Sequence, residues 1–182
     1  MSARAPLPMH LAHGVGLVEM ATGNPYRRPV GPGIVVCMQT TSLPGTDRVA
    51  AVIASIGVRH PGAHDLVADG LYLDLRYALR NPADDPGMRY RTGLDPDVRA
   101  HVLATPGARE VIERTAVQLL ALADEVPVGQ VVRLTVACQG GRHRSVAVAE
   151  EVARRLWAAW GGERGVDVEH HHIDHPVLPA QV

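Results

Sequence analysis

Residues 131–160 carry the feature that most restricts the fold: an apolar strand pattern, a turn with adjacent glycines and a helix pattern follow one another without a break. Val131-Val-Arg-Leu-Thr-Val-Ala137 reads as a buried strand, "CQGGRHRS" (138–145) as the turn, and Ser145 to Trp160 as a helix that Gly161-Gly162 stops. A buried strand feeding straight into a helix begins a β–α–β unit, and such units build parallel sheets with helices on their faces.

The remaining pattern agrees. Val49–Ile56 and Leu71–Leu75 are strand candidates, and Val166–Ile173 a last one. Between Gly107 and Asp124, apolar residues recur at three and four: Ala108, Val111, Ile112, Thr115, Ala116, Leu119, Leu120 and Ala123. Residues 80–96, "RNPADDPGMRYRTGLDP", form a long loop of turn-forming residues, and long ordered loops in compact domains are usually functional. The expected fold is a single-domain α/β protein: a small, mostly parallel sheet flanked by helices. Its core must be Val, Leu, Ile and Ala, because there is no Phe and aromatics are 3%.

Residues 1–48 form a poorly patterned N-terminal extension, dense in Pro and Gly, where only Ile34–Cys37 has strand character. Met38 is a plausible start, since the patterned chain follows it. The domain proper spans 49–175, and 176–182 is a tail. Removing residues 1–37 is expected to leave stability nearly unchanged.

All 18 cationic residues are Arg. Without Lys there is no Walker-type phosphate loop, no Schiff-base lysine and no lysine general base. A formal charge of −1 gives no global field to draw the chain to nucleic acid or membrane, so an anion site must be built locally. The turn can build one. Gly140 and Gly141 allow backbone angles that aim several N–H groups at one point, and the helix end adds positive potential. Gln139 and Arg142 lie in the same turn, Arg144 offers a planar fork to an oxyanion, His143 can move a proton, and Ser145 can cap the helix. Arg144 reads as a clamp whose removal leaves the fold intact.

Cys138, five residues, then Arg144-Ser145 is also C-x5-R-[ST], which resembles the signature loop of cysteine-dependent phosphatases. That resemblance makes Cys138 a candidate thiolate nucleophile, with Ala137 where those enzymes carry His and with Asp84 or Asp85 as candidate acids. Binding without chemistry needs no thiolate, and an inert buried Cys in a packing turn also fits.

A longer set of motifs narrows the reading. Cys138-Gln-Gly-Gly-Arg-His-Arg-Ser-Val146, "SIGVRHPG" (55–62), Asp74-Leu-Arg76, Asn81-Pro82, Asp85-Pro86 and Thr92-Gly-Leu-Asp95 resemble, in order, those of the C-terminal domain of the RapZ family of RNase adaptor proteins. The resemblance implies an α/β domain whose anion turn, with loop residues near Asn81, holds an amino-sugar phosphate. It also implies oligomers, and relatives that carry an N-terminal P-loop domain and bind small RNAs. Ala83 and Gln139 depart from the family pattern, so sugar selectivity differs.

The sequence therefore favours binding of a small phosphorylated ligand, a sugar phosphate or nucleotide, by a sensor or adaptor, over turnover. The ligand-binding set is Gln139, Gly140, Gly141, Arg142, His143, Arg144, Ser145, Arg76, Asn81 and His60. Arg80, Arg89 and Arg91 are further candidates for the mouth of the site. An RNA-binding adaptor is the third reading, and the Arg-free tail "EHHHIDHPVLPAQV" weighs against it, because RNA affinity rests on phosphate contacts by cations. A homo-oligomer is compatible with the resemblance. No cofactor is assigned, and the cluster of His170, His171, His172 and His175 is too weakly patterned for a resident metal. No apolar run is long enough to span a membrane and no secretory signal is evident, so a cytoplasmic protein is expected.

Overall fold

Val49–Gly57, apolar to nearly its last residue, suits a strand with neighbours on both sides and helices nearby. In the computed structural model, which describes residues 39–43, 49–127 and 129–179, it is the middle of a five-stranded sheet. The elements are β1 (Gln39–Leu43), β2 (Val49–Gly57), β3 (Leu71–Asp74), α1 (Pro96–Leu103), α2 (Ala108–Glu125), β4 (Val132–Cys138), α3 (Arg144–Ala159) and β5 (Gly165–His170), in the sheet order β1-β5-β2-β4-β3. The pairs β2–β4, β2–β5 and β3–β4 are parallel. Only β1 runs antiparallel, at one edge, with Gln39 opposite His170 and Leu43 opposite Val166. The expected mostly parallel α/β sheet is what the chain forms.

One face of the sheet makes the core. Ala51 and Ile53 of β2, Val132, Leu134 and Val136 of β4, and Val166 and Val168 of β5 pack with Ile112, Ala116 and Leu119 of α2. From α3 come Ala147, Val148, Ala149, Val152, Ala153 and Leu156, all fully buried. Small residues on this helix let its axis lie close to the strands, which compensates for the missing aromatic bulk. α3 ends as Gly161-Gly162 predicts. Both glycines take the left-handed backbone (φ 60° and 78°), and the Gly162 N–H returns to the Trp157 carbonyl at 3.0 Å.

The structure departs from the sequence reading in three places. Residues 39–43, inside the stretch read as an extension, form edge strand β1. α1 occupies Pro96–Leu103, just past the loop, with Pro96 at its first turn and Val98 and Val102 buried. β5 stops at His170, not Ile173, because the chain turns there and the His175 N–H closes onto the His172 carbonyl at 3.2 Å. Ile34–Cys37 lies outside the described residues. Among those residues no helix is long and apolar enough to cross a membrane.

Candidate functional site

The carboxyl ends of β2 and β4 meet over the glycine turn, at the position where open α/β sheets hold ligands. Val58 and Arg59 donate their N–H groups to the Cys138 and Gln139 carbonyls at 2.9 and 3.1 Å. The two chains cross so closely that a Cβ on Gly57 would lie 2.4 Å from the Gly140 carbonyl carbon. Gly141 takes φ 71°, and a Cβ there would lie 2.5 Å from the Gly57 nitrogen. Two glycines are thus required by backbone packing, and Gly141 also by its angle.

The turn wraps the cysteine. Cys138 is 3% exposed, and its Sγ accepts the Gly141 N–H at 3.2 Å and faces the Ser145 hydroxyl at 3.2 Å. His143 is buried and precedes the first turn of α3. Its Nε2 donates to the Met88 carbonyl at 3.2 Å, and burial holds its pKa below the ordinary range, so the ring is neutral at pH 7.

The two arginines of the turn are braces. Arg144, 5% exposed, donates from Nη1 to the carbonyls of Leu75, Arg76 and Ala78 at 2.9, 3.2 and 3.1 Å. It ties the exit of β3 to the start of α3. This corrects the expectation of a clamp removable without loss of fold. Arg142 donates to the carbonyls of Tyr90 (2.7 Å), Arg91 (2.9 Å), Ile173 (2.7 Å) and His175 (3.3 Å). One guanidinium therefore joins the 88–93 loop to the C-terminal segment.

Between those walls lies a cavity of about 600 Å³. Cys138, Gln139, Gly140, Arg142, His143, Arg144 and Asn81 line it, as do Arg59, Arg89, Asp84, Tyr90 and the segment Asp174–Pro179. Of the sequence candidates, Gly141, Ser145, His60, Arg76 and Arg80 are outside this lining. Gly141 and Ser145 support Cys138 from behind. His60 donates Nε2–H to the Gly140 carbonyl at 3.1 Å, bracing the turn from outside. Arg76 pairs with Asp74 at 2.7 Å and lies over the Tyr77 ring, and its hydrogen bond holds the Asp74 carboxyl below the usual carboxylate range. Arg91 pairs with Asp97 at 2.6 Å, outside the lining. Asp85 accepts the Gly87 N–H and also lies outside it, whereas Asp84, with Asn81 Nδ2 at 2.9 Å, is inside.

Sequence reasoning missed Arg59, Tyr90 and the 174–179 wall. Arg59 had one signal, its place at a strand exit beside His60. The wall had none, because its strap of Pro176-Val-Leu-Pro179 has no period.

The histidines separate into two groups. His60 and His172 stack with ring centroids 4.5 Å apart, and His175 meets both edge-on at 4.7 and 4.8 Å. His172 Nδ1 accepts the Gly57 N–H at 3.1 Å, so that nitrogen carries no proton, and burial pushes its pKa down to about 4. His170 instead sits between Ser55 Oγ (2.8 Å) and Glu150 Oε1 (3.0 Å). Ser55 and His170 are wholly buried, so this Ser–His–Glu chain is a core polar network with no access for a substrate. Among the described residues, no group of three or more His, Cys, Asp or Glu converges as a metal site would.

The comparison with known proteins covers this region. A family model described as the RapZ C-terminal domain matches residues 49–174. A nucleotide-binding protein of Rubrobacter xylanophilus is 43% identical over 130 residues, which is 70% of this chain and 41% of that protein. A nucleotide-binding protein of Frankia alni is 41% identical over 128 residues, 68% of this chain and 42% of that protein. The chain spans less than half the length of these relatives.

Proposed function

Because the chain belongs to the RapZ C-terminal domain family, we propose that it binds a small phosphorylated ligand, a nucleotide or a sugar phosphate, over the 138–144 turn, and serves through that binding as a sensor or adaptor. The observation that carries this reading is local charge. In a chain of formal charge −1, Arg59, Arg89, Arg142 and Arg144 converge on one cavity beside the first turn of α3. The leading N–H groups of a helix lack intrahelical partners, and the helix end adds positive potential. A cavity of about 600 Å³ lies within the range that small-molecule sites occupy. The names of the relatives support a nucleotide, and the motif resemblance supports a sugar phosphate.

The geometry favours binding over phosphoryl transfer. A phosphatase of the C-x5-R type needs its arginine turned to a phosphoryl group on sulfur. Here Arg144 commits Nη1 to three carbonyls, and the buried sulfur is engaged by Gly141 and Ser145. Slow alkylation of Cys138 by iodoacetamide at pH 6 and no hydrolysis of an aryl phosphate are expected. A burst of phenol lost in Cys138→Ser would make the protein a phosphatase.

Inorganic phosphate tests the site. At ten times its Kd it stabilises the folded chain by about 1.4 kcal/mol, or roughly 4 °C in Tm. The double variant Arg59→Ala/Arg89→Ala should lose most of that rise and keep its Tm without phosphate, because each side chain makes only one described hydrogen bond, to a backbone carbonyl. An undiminished rise in the double variant would place the anion elsewhere.

A further inference from the structure

We propose that residues 176–179 are a strap that closes over this cavity when Arg59 takes an anion, so that the C-terminal segment reports whether the site is filled. The inference rests on the anion reading above and deepens it by naming the element that responds. Six consecutive residues, Asp174 to Pro179, line the cavity, and they divide at His175. Up to that residue the chain is tied down. Arg142 donates to the Ile173 and His175 carbonyls at 2.7 and 3.3 Å, and the His175 N–H reaches the His172 carbonyl at 3.2 Å. Beyond it the chain has no regular secondary structure, and Pro176 and Pro179 have no N–H to give. Among the described residues, one hydrogen bond holds 176–179: Arg59 Nη1 donates to the Pro179 carbonyl at 3.1 Å, in contact with water. The strap is thus hinged at His175 and latched at Pro179.

Arg59 is where strap and anion meet. Its backbone N–H donates to the Gln139 carbonyl at 3.1 Å, which fixes it beside the turn, and its side chain lines the cavity. A guanidinium carries five N–H donors in a planar fork. The latch uses Nη1, and among the described residues Nε and Nη2 donate to nothing. The Nε–Nη2 edge is one that an oxyanion takes with two parallel bonds. Anion and carbonyl are therefore served by different donors of one group, and they do not compete.

They assist each other instead. Alone, the latch must immobilise a long side chain, and the freedom lost costs about as much as one exposed hydrogen bond returns. An anion on the free edge immobilises the guanidinium already, so the latch then forms at little further cost. Such a coupling is reciprocal: the latched strap strengthens the anion by the factor by which the anion strengthens the latch. The other three arginines of the lining have no such link. Arg142 and Arg144 are braces, and Arg89 bonds the Ala83 carbonyl of its own loop.

Nitrogen-15 relaxation of the full chain tests this, with inorganic phosphate as the probe and the Val177 and Leu178 amides as reporters. Their heteronuclear Overhauser effect should lie well below that of β4 amides without phosphate and rise to the β4 level at saturation. In Arg59→Gln, saturated at higher phosphate, the two amides should not respond. Removing residues 176–182 should weaken phosphate binding about fivefold, near the low end of couplings between linked sites, with circular dichroism checking the fold. Three results would each overturn the strap while the phosphate-induced rise in Tm left the anion site standing. They are reporters as rigid as β4 without phosphate, reporters that phosphate loosens or leaves unmoved, and truncation that leaves phosphate binding equal or tighter. A parent chain that binds no phosphate would sink the anion reading, and this one with it.

Discussion

At the scale of single residues, Arg144 shows how far a side chain's chemistry can be read and where it misleads. The sequence identifies a donor fork beside a glycine turn. It cannot identify the acceptors, because the Leu75, Arg76 and Ala78 carbonyls are backbone atoms 66–69 positions away. Hydrogen bonds from a charged donor contribute about 1.5–3 kcal/mol each, with losses that are not additive. Arg144→Ala should therefore lower the unfolding free energy by about 3 kcal/mol in urea titration; a loss under about 1 kcal/mol would show that the brace is idle. The imidazole cluster gives a second expectation. His172 titrates at about 4 in the fold and at its ordinary 6.5 when unfolded, so between those values the unfolded chain holds the extra proton. Stability should fall as pH drops through that window and be unaffected by this group above it. His60, whose pKa burial also lowers, adds to the same slope. In His172→Asn the side-chain oxygen can still accept the Gly57 N–H but does not titrate, so the slope between pH 4 and 6.5 should shrink. An unchanged slope would assign it to other groups.

Among the secondary elements, length and periodicity decided what was legible. β2, β4, α2 and α3 each carry a sustained pattern, and their observed bounds lie within about a residue of those the pattern gives. α1 has eight residues and two buried valines, too few repeats to stand out beside the turn signals of "TGLDPD". β1 is an edge strand whose partner is distant in sequence, so nothing local marks it. β5 was overextended because three consecutive histidines continue an alternating run past the point where the chain turns. The weight of α3 in the core can be measured. Leu156 is wholly buried among strand and helix residues, and Leu156→Ala should cost about 2–5 kcal/mol. A loss below 1 kcal/mol would mean that the helix repacks freely, against the close fit its alanines indicate.

For the molecule as a whole, the candidate site was half visible. The end proposed to hold the anion is one contiguous stretch, 138–145, and contiguity is what sequence reading detects. The remaining lining comes from Arg59, from Asn81, Ala83, Asp84, Arg89 and Tyr90 in the loop, and from Asp174 to Pro179, brought together only when β2 and β4 end side by side. The crossing of Gly57 with Gly141 makes that meeting possible, and Gly93 fits as closely against α3, where a Cβ would lie 2.4 Å from the His143 carbonyl oxygen. These three glycines leave a signature that mutational libraries would record. In a library selected only for folded protein in cells, positions 57, 93 and 141 should tolerate no other residue, while 59, 89 and 90 should accept nearly any. Selected instead for ligand retention, the second group should become as intolerant as the first. The difference between the two maps would draw the outline of the binding surface without any ligand having been named.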